Sequence, residues 1–114
     1  LILIPNNQIM KEISVDELKE MKDNGEVFQL VDVREPNEFE ICSLGGDEIP
    51  MSQIMTRHQE ISKEKKVIIH CKSGKRSANV INALEQNLGY ENLYNLEGGI
   101  LAWAEEIDPE MDQY

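Results

Sequence analysis

The sequence predicts an α/β domain with a mostly parallel central sheet and helices on both of its faces. Short apolar runs rich in β-branched residues alternate with amphipathic segments of helical period, an order typical of parallel sheets with crossover helices. Glycine, proline and asparagine separate these segments. Binding sites in such sheets form beyond the carboxyl ends of the strands, so polar residues that follow an apolar run are the first candidates for function.

The first half of the chain predicts a helix, a strand and a short second helix. Ser14 and Glu17 have the spacing of a capping box, and Gly25 is a C-terminal stop. The β-prone run "VFQLVDV" predicts a strand over residues 27–33, and Pro36 begins the short helix "PNEFEI". Apolar residues of the first helix repeat at helical spacing: Val15, Leu18 and Met21.

The second half predicts further strands and helices in alternation. A short strand is expected around residues 48–49 and a short helix over residues 53–61. The run "KVIIHC" predicts a buried strand that ends at Cys71, and "SANVINALEQNLG" predicts a helix that begins near Ser77. A last strand, "NLYNL", and a last helix, "GGILAWAEEIDP", follow. The two helices have apolar faces made of Ala78, Ile81, Leu84 and Leu88 and of Ile100, Ala104 and Ile107.

The length and composition indicate one globular domain. The chain has 114 residues, of which 40% are hydrophobic and 29% charged. The opening "LILIPNN" predicts a linker or the end of an upstream segment over residues 1–9, with the domain itself over residues 10–114. Because the sequence begins with Leu1 rather than Met, we expect it to be a piece of a longer protein.

The net charge and the cysteine content exclude several classes of partner and compartment. The formal net charge is −11, so the surface as a whole repels nucleic acid and anionic membranes, and neither is expected as a partner. The sequence has no apolar run long enough for a membrane span, and its opening residues do not predict secretion. Two cysteines are too few for a disulfide scaffold, and they predict a reducing, cytoplasmic location.

The segment "HCKSGKRS", residues 70–77, is the strongest candidate for chemistry. Only the thiolate of Cys71 is a good nucleophile, and a thiol pKa is lowered by nearby cations and by a helix N-terminus. Gly74 lets the backbone curl so that several N–H groups converge on one anion. The loop therefore suits an anionic sulfur and an anionic substrate. The plain alternative is a strand-to-helix turn with a buried cysteine and solvated lysines.

Basic residues are concentrated around this loop. Six of the eleven lie within fourteen positions, and an acidic protein with one basic region steers anions to that region. The six are Lys63, Lys65, Lys66, Lys72, Lys75 and Arg76.

The spacing from cysteine to arginine separates two chemistries. Tyrosine-type cysteine phosphatases have five residues between the two, whereas Cys71 and Arg76 enclose four. A loop that is one residue shorter forms a smaller ring of amides, which fits a smaller centre than a phosphate ester. The spacing therefore favours sulfur over phosphorus.

Three segments together resemble the rhodanese-like sulfurtransferase family, and the resemblance extends from Met10 to Trp103. Each segment is weakly specific alone, but their order and spacing together are highly specific. They are "LVDVREPNEFE" (30–40), "VIIHCKSGKRS" (67–77) and "LEGGILAW" (96–103).

The resemblance implies roles for individual residues. Cys71 is implied to take up a sulfane sulfur and become a persulfide, so no metal or organic cofactor is expected. Lys75 and Arg76 are implied to hold an anionic donor such as thiosulfate. Asp32 and Arg34 match the D-x-R that braces the active-site loop in this family. The implied cradle, whose amides stabilise the persulfide, consists of Lys72, Ser73, Gly74, Lys75 and Arg76.

Two further segments resemble one particular group within this family. Many members have a histidine and a Gly-Ala pair where this chain has "ICSLGGDEIP", residues 41–50. This segment and the tail "GGILAWAEEIDPEMDQY" resemble the rhodanese domain at the C-terminus of adenylating enzymes that serve molybdopterin or thiamine synthesis. That resemblance implies an upstream adenylating domain and a ubiquitin-like sulfur-carrier protein as partners.

Other residues have a plain structural interpretation beside a functional one. Cys42 is either a resolving thiol for the persulfide or a small packed side chain, and the sequence favours packing. His70 either tunes Cys71 or ends the buried strand, and we expect the latter. His58 is expected to be solvated and Trp103 to lie in the core. The acidic helix over residues 105–112 is expected to be a solvated face rather than a docking site.

Three functional hypotheses follow. The leading one is a sulfurtransferase that works through a Cys71 persulfide. A cysteine-dependent phosphatase or arsenate-reductase-like enzyme is the second, and the short loop argues against it. The third is a non-catalytic binding module with the same fold, against which the intact cysteine and cations argue.

Overall fold

The computed structural model describes residues 2–4 and 8–114, and its centre is a five-stranded parallel sheet. The strands are β1 (Ile2–Ile4), β2 (Gln8–Met10), β3 (Glu12–Ile13), β4 (Gln29–Asp32), β5 (Asp47–Glu48), β6 (Val67–His70) and β7 (Leu93–Leu96). The helices are α1 (Val15–Asp23), α2 (Pro36–Ile41), α3 (Ile54–Arg57), α4 (Lys75–Leu88) and α5 (Gly99–Glu106). Two 3₁₀ turns, Met51–Gln53 and His58–Glu60, flank α3.

The register of the sheet brings the candidate residues to one edge. The strand order is β3-β7-β6-β4-β5, and each neighbouring pair is parallel. Asp32 pairs with His70 at the ends of β4 and β6, and Ile69 pairs with Asn95 of β7. Because parallel strands end at the same edge, the residue after β6, Cys71, lies beside the polar ends of both neighbouring strands.

Helices cover both faces of the sheet, which confirms the predicted α/β class. Successive residues of β6 alternate between two hydrophobic clusters, as the pleat requires. Ile68 belongs to the cluster under α1 and α5, together with Leu18 and Trp103. Ile69 belongs to the cluster under α3 and α4, together with Ile81. The middle strands are therefore buried on both sides, and this fixes the sheet edge that bears Cys71.

Local sequence signals account for most helix boundaries. Ser14 caps α1, and its reciprocal hydrogen bonds with Glu17 form the predicted capping box. Pro36 begins α2 as predicted. The helix predicted near Ser77 instead begins at Lys75, because Gly74 adopts a left-handed conformation and serves as its N-cap. The two basic residues after Gly74 therefore belong to the first turn of a helix, not to the loop.

The amino-terminal segment is described in part. The backbone of β1 pairs with β2 as a two-stranded antiparallel sheet, separate from the main sheet. The linker predicted over residues 1–9 falls partly outside the described residues, and the predicted domain boundary stays a prediction. The sequence did not predict β3, which is two residues long and pairs with β7 at the sheet edge.

Candidate active site

The Cys71 side chain lies at the bottom of a short loop between β6 and α4. The residue follows directly on β6 and is 1% exposed. Three residues later, Gly74 turns the chain into α4 at a φ of 104°. The loop is therefore short enough to place the first turn of α4 directly over the sulfur.

Hydrogen bonds converge on the Cys71 sulfur. The backbone N–H of Gly74 lies 3.1 Å from Sγ, that of Ser77 lies 3.5 Å away, and the Ser77 hydroxyl lies 3.4 Å away. Burial alone would raise the pKa of the Cys71 thiol. The Ser77 hydroxyl and the backbone N–H groups of Ser77, Gly74 and Ser73 outweigh burial, so this pKa is lowered. The site thus favours a thiolate, the nucleophilic form of cysteine.

The main cause of the lowered Cys71 pKa is not the one that the sequence emphasises. The sequence predicts a role for three cations, whereas the groups that contact Sγ are backbone N–H groups and one hydroxyl. Lys75 is exposed and Lys72 is half-buried. The hydrogen bonds with Glu38 raise the pKa of Arg76 above its ordinary value, although burial opposes this, and attraction to the Cys71 sulfur adds to the effect.

The N-terminus of α5 holds the loop from the other side. The backbone N–H of Ile100 donates to the Cys71 carbonyl at 2.9 Å, and that of Leu101 donates to the Lys72 carbonyl at 3.0 Å. A Cβ at Gly99 would lie 2.6 Å from the Cys71 oxygen and 2.4 Å from the Lys72 oxygen. Glycine at this position is therefore required for α5 to reach the loop, which gives the segment "LEGGILAW" a structural role.

Asp32 and Arg34 form a buried ion pair beneath the site. Arg34 is fully buried, and its Nε and Nη2 donate to the Asp32 carboxylate at 3.0 and 2.8 Å. Burial opposes the charge of Arg34, but Asp32 raises its pKa above the ordinary value. Arg34 also donates to the carbonyls of Glu38 and Cys42 in the last turn of α2. The pair therefore ties the end of β4 to α2.

Glu38 is a site residue that the sequence analysis missed. Its carboxylate accepts two hydrogen bonds from the Arg76 guanidinium, at 2.6 and 2.9 Å. Bonding to Arg76 lowers the pKa of Glu38 to about 2, although burial opposes the shift. Arg76 is thus held across the loop by α2. Its predicted role in holding an anionic donor stays a prediction.

Tyr114 lies over the same group of charges. Its hydroxyl accepts from Arg34 Nη1 at 3.0 Å and donates to the Glu38 carboxylate. The Lys72 ammonium lies 4.3 Å from the centre of the Tyr114 ring, within cation–π distance. The terminal segment therefore reaches back to the active-site loop.

An open cleft of about 500 Å³ borders the loop on the side of β7. Ser73 and Lys75 line it, together with Asn79 and Glu97. Lys75 therefore borders both the loop and this cleft.

The remaining candidates lie in structural positions. Burial lowers the pKa of His70 to about 4, although Asp32 opposes this, so the ring is neutral near pH 7. Cys42 is half-buried with its Sγ 3.8 Å from Arg34 Nη1, and it is a free thiol, as is Cys71. Trp103 lies in the core, as expected.

Two expectations about local structure were wrong. His58 is half-buried rather than solvated, because the 3₁₀ turn that it begins packs near Tyr90, whose hydroxyl donates to the His58 carbonyl. The helix expected over residues 105–112 ends at Glu106, ahead of Pro109. The three acidic residues beyond it, Asp108, Glu110 and Asp112, are all exposed.

The described residues contain neither a metal-ligand cluster nor a membrane-spanning helix. Within residues 2–4 and 8–114, no three His, Cys, Asp or Glu side chains lie close enough together to hold a metal ion. No helix in the described part of the chain is long and apolar enough to span a bilayer.

Residues 14–106 match the model of the rhodanese-like domain. The chain belongs to this family. A sulfurtransferase of Allochromatium vinosum is 37% identical over 97 residues, which cover 84% of this chain and 90% of that protein. The solved structure of a rhodanese-related protein from Thermoplasma volcanium has a TM-score of 0.76 and 33% identity, and the match covers 85% of this chain and 93% of that one.

Longer relatives contain the same domain as one part. The chain is 40% identical to Rhodanese-like/PpiC domain-containing protein 12, chloroplastic, of Arabidopsis thaliana and covers 40% of its length, with 98% of this chain matched. It is 30% identical to "Probable adenylyltransferase/sulfurtransferase MoeZ" of Mycobacterium tuberculosis, which matches 90% of this chain. The match spans 26% of MoeZ. The family thus occurs both alone and within larger proteins.

Proposed function

We propose that this domain is a sulfurtransferase that transfers a sulfane sulfur through a persulfide on Cys71. The observation that supports it is the convergence of the Gly74 and Ser77 N–H groups on a buried cysteine sulfur. These donors stabilise negative charge on sulfur without a metal or an organic cofactor. Relatives with sulfurtransferase names, including one matched over 90% of its length, support the same chemistry.

With thiosulfate as the donor, the proposed first step is a displacement at sulfur. The Cys71 thiolate attacks the outer sulfur of thiosulfate, and a new S–S bond forms at Cys71. The S–S bond of thiosulfate breaks, and sulfite leaves with the electron pair. A thiolate acceptor then attacks the outer sulfur of the persulfide and restores the Cys71 thiolate. With an adenylated carboxylate as acceptor, the outer sulfur of the persulfide instead attacks the carbonyl carbon and AMP leaves. An external thiolate cleaves the resulting acyl disulfide to release the thiocarboxylate, and a second thiolate reduces the mixed disulfide left on Cys71. Lys75 and Arg76 bind the donor anion before the first step.

The acceptor that we propose is the carboxy-terminus of a ubiquitin-like sulfur carrier, in molybdopterin or thiamine sulfur supply. The likeness to MoeZ, which bears both adenylyltransferase and sulfurtransferase in its name, supports this proposal. An adenylating domain upstream of Leu1 would activate that carboxy-terminus. Both cysteines are free thiols, which fits the reducing cytoplasm that we propose as its location.

Mass spectrometry after incubation with thiosulfate tests the proposal. We expect one added sulfur atom on Cys71 in the wild-type domain and in the matched control Cys42→Ser. The adduct must be absent from Cys71→Ser. Failure of every sulfane donor to load Cys71, or persistence of the adduct in Cys71→Ser, would overturn sulfur transfer.

Two assays separate the alternatives. Steady turnover of a phosphate ester that is lost in Cys71→Ser would indicate a phosphatase. Unchanged function of the full-length protein with Cys71→Ala would indicate a binding module. We expect neither result.

A further inference from the structure

A chain of buried polar groups lies behind the Cys71 sulfur. The Ser77 hydroxyl is 3.4 Å from Cys71 Sγ and 2.6 Å from Asn95 Oδ1. Asn95 Nδ2 donates to the Gly74 carbonyl at 3.1 Å. Ser77 is fully buried and Asn95 is 1% exposed. The proposed sulfur transfer assigns no role to Asn95.

The donor and acceptor atoms of these side chains fix the direction of each hydrogen bond between them. Because Asn95 Nδ2 donates to Gly74, the amide oxygen of Asn95 faces Ser77 and can only accept. The hydroxyl of Ser77 has one proton, and the 2.6 Å contact places it on the Asn95 side. Ser77 Oγ can then only accept from Cys71. The thiol therefore donates to Ser77, and Ser77 donates to Asn95.

We propose that Asn95 is a positioning residue that holds the Ser77 hydroxyl proton away from the Cys71 sulfur as long as that sulfur is a neutral thiol. A thiolate is a stronger acceptor than an amide oxygen, so ionisation turns the hydroxyl toward sulfur. That rotation leaves the buried Asn95 oxygen without its donor, which opposes ionisation. Asn95 thus adjusts how readily the nucleophile forms. The inference rests on the proposed function only in taking Cys71 as the reacting thiol.

The other charged groups near the sulfur are the same in every Asn95 and Ser77 variant. Lys72 belongs to the loop, Lys75 and Arg76 belong to the first turn of α4, and Glu38 of α2 is paired with Arg76. All of these groups are present in each variant. The effect of Asn95→Ala therefore reports on these hydrogen bonds or on the loop backbone, whereas Asn95→Asp also adds a negative charge near the sulfur, which itself raises the pKa of Cys71.

Raman spectroscopy of the S–H stretching band tests the direction of the chain with Asn95 and Ser77 intact. The Cys42→Ser protein, held at a pH at which Cys71 is protonated, contains one thiol. We expect its S–H band at the lowered frequency of a donating thiol, and we expect Ser77→Ala to shift the band upward. A band at the frequency of a free thiol in Cys42→Ser, unchanged by Ser77→Ala, would overturn the proposal.

The pH profile of iodoacetamide alkylation tests the role of Asn95. Asn95→Ala and Asn95→Asp both remove the donor to Gly74, but Asp keeps an acceptor toward Ser77. In the Cys42→Ser background we expect Ala to lower and Asp to raise the pKa of Cys71, each by about half to one pH unit, up to about tenfold in thiolate fraction. A Cys71 pKa that Asn95→Ala raises or leaves unchanged would overturn the proposal.

A double-mutant cycle of Asn95→Ala and Ser77→Ala tests whether Asn95 acts through the Ser77 hydroxyl. In the Ser77→Ala background, Asn95→Ala should leave the alkylation profile unchanged, since the hydroxyl through which it acts is gone. A shift as large as in the Ser77 protein would overturn the proposal. The Raman result stands even if an Asn95 variant does not fold. Failure of thiosulfate loading would overturn the proposed function but would alter neither the band nor the profile.

Discussion

Gly99 and Lys72 are in direct backbone contact, since a Cβ on Gly99 would lie 2.4 Å from the Lys72 carbonyl oxygen. This contact lets the N-terminus of α5 donate to the carbonyls of Cys71 and Lys72. The shape of the nucleophile loop thus depends on a helix that begins 28 residues after the cysteine, counting from position 71 to position 99.

Gly99→Ala is therefore expected to destabilise the domain and to disturb the loop. The left-handed φ of 60° costs an alanine about 1–2 kcal/mol, and the overlap with the loop carbonyls adds about 1–3 kcal/mol. Chemical denaturation measures the total. Gly25→Ala is the matched control, because Gly25 has a φ of 66° and open space around it. Equal losses in the two variants would contradict the contact as the cause.

Glu38→Gln is expected to reduce stability at neutral pH but not in strong acid. The folded-state pKa of Glu38 is about 2, below its ordinary value, so the ionised carboxylate stabilises the fold at higher pH. That stabilisation is complete above pH ~4.5 and is lost as the pH falls toward 2. Because Arg76 is partly exposed, we expect a loss of about 1–2 kcal/mol at pH 7.

Unfolding measured across pH checks this result. The difference between the wild type and Glu38→Gln should shrink as the pH falls from ~4.5 to 2. Glu40→Gln is the control, because Glu40 is exposed on the same helix, and we expect a change within about 0.5 kcal/mol. If the stability difference between the two proteins stayed constant from pH 7 to pH 2, the ionised form of Glu38 would not be the source of the stabilisation.

The sequence predicts the parts of the site that are local in the chain. Cys71, Gly74 and the start of α4 lie within five residues, so strand, turn and helix signals suffice to place them. Glu38 could not be found this way because it is 38 residues from Arg76, and an "EFE" segment in an amphipathic helix has no local chemical signal. Asn95 is likewise predicted only as part of the last strand, "NLYNL", and it lies 18 residues from Ser77.

The same distinction applies to the fold. Long periodic segments such as α4 and apolar runs such as β6 were predicted because many residues contribute to each signal. Strand β3 was missed because two residues, Glu12 and Ile13, show no period, and pairing with β7 decides their structure. Tyr114 contacts Arg34 across 80 residues, which only tertiary structure reveals.

Asp32→Asn is expected to destabilise the fold strongly. It removes the carboxylate that neutralises the fully buried Arg34 guanidinium. Removal of one partner from a buried ion pair costs about 3–5 kcal/mol, since the remaining charge stays desolvated. Glu60→Gln breaks the exposed Arg57–Glu60 pair, which water and salt screen, and should cost far less. Denaturant unfolding compares the two, and similar losses would argue against desolvation as the cause.

Lys75→Gln is expected to weaken the use of an anionic donor without changing the nucleophile. Lys75 is exposed beside the loop and lines the open cleft, so its charge attracts an approaching anion through solvent. One unit charge near 4 Å in water contributes about 1 kcal/mol, which predicts a rise of about fivefold in KM for thiosulfate. The rise should diminish at high ionic strength, where salt screens the attraction.

The matched control for this prediction is Lys65→Gln. Lys65 is exposed and precedes β6, at the edge of the sheet opposite to Cys71, so it changes the net charge equally without facing the loop. We expect its KM to stay near the wild-type value and the kcat of both variants to be unchanged, because neither lysine is among the groups that contact Sγ. Equal increases in KM would show that net charge, rather than the position of Lys75 beside the cleft, governs donor capture.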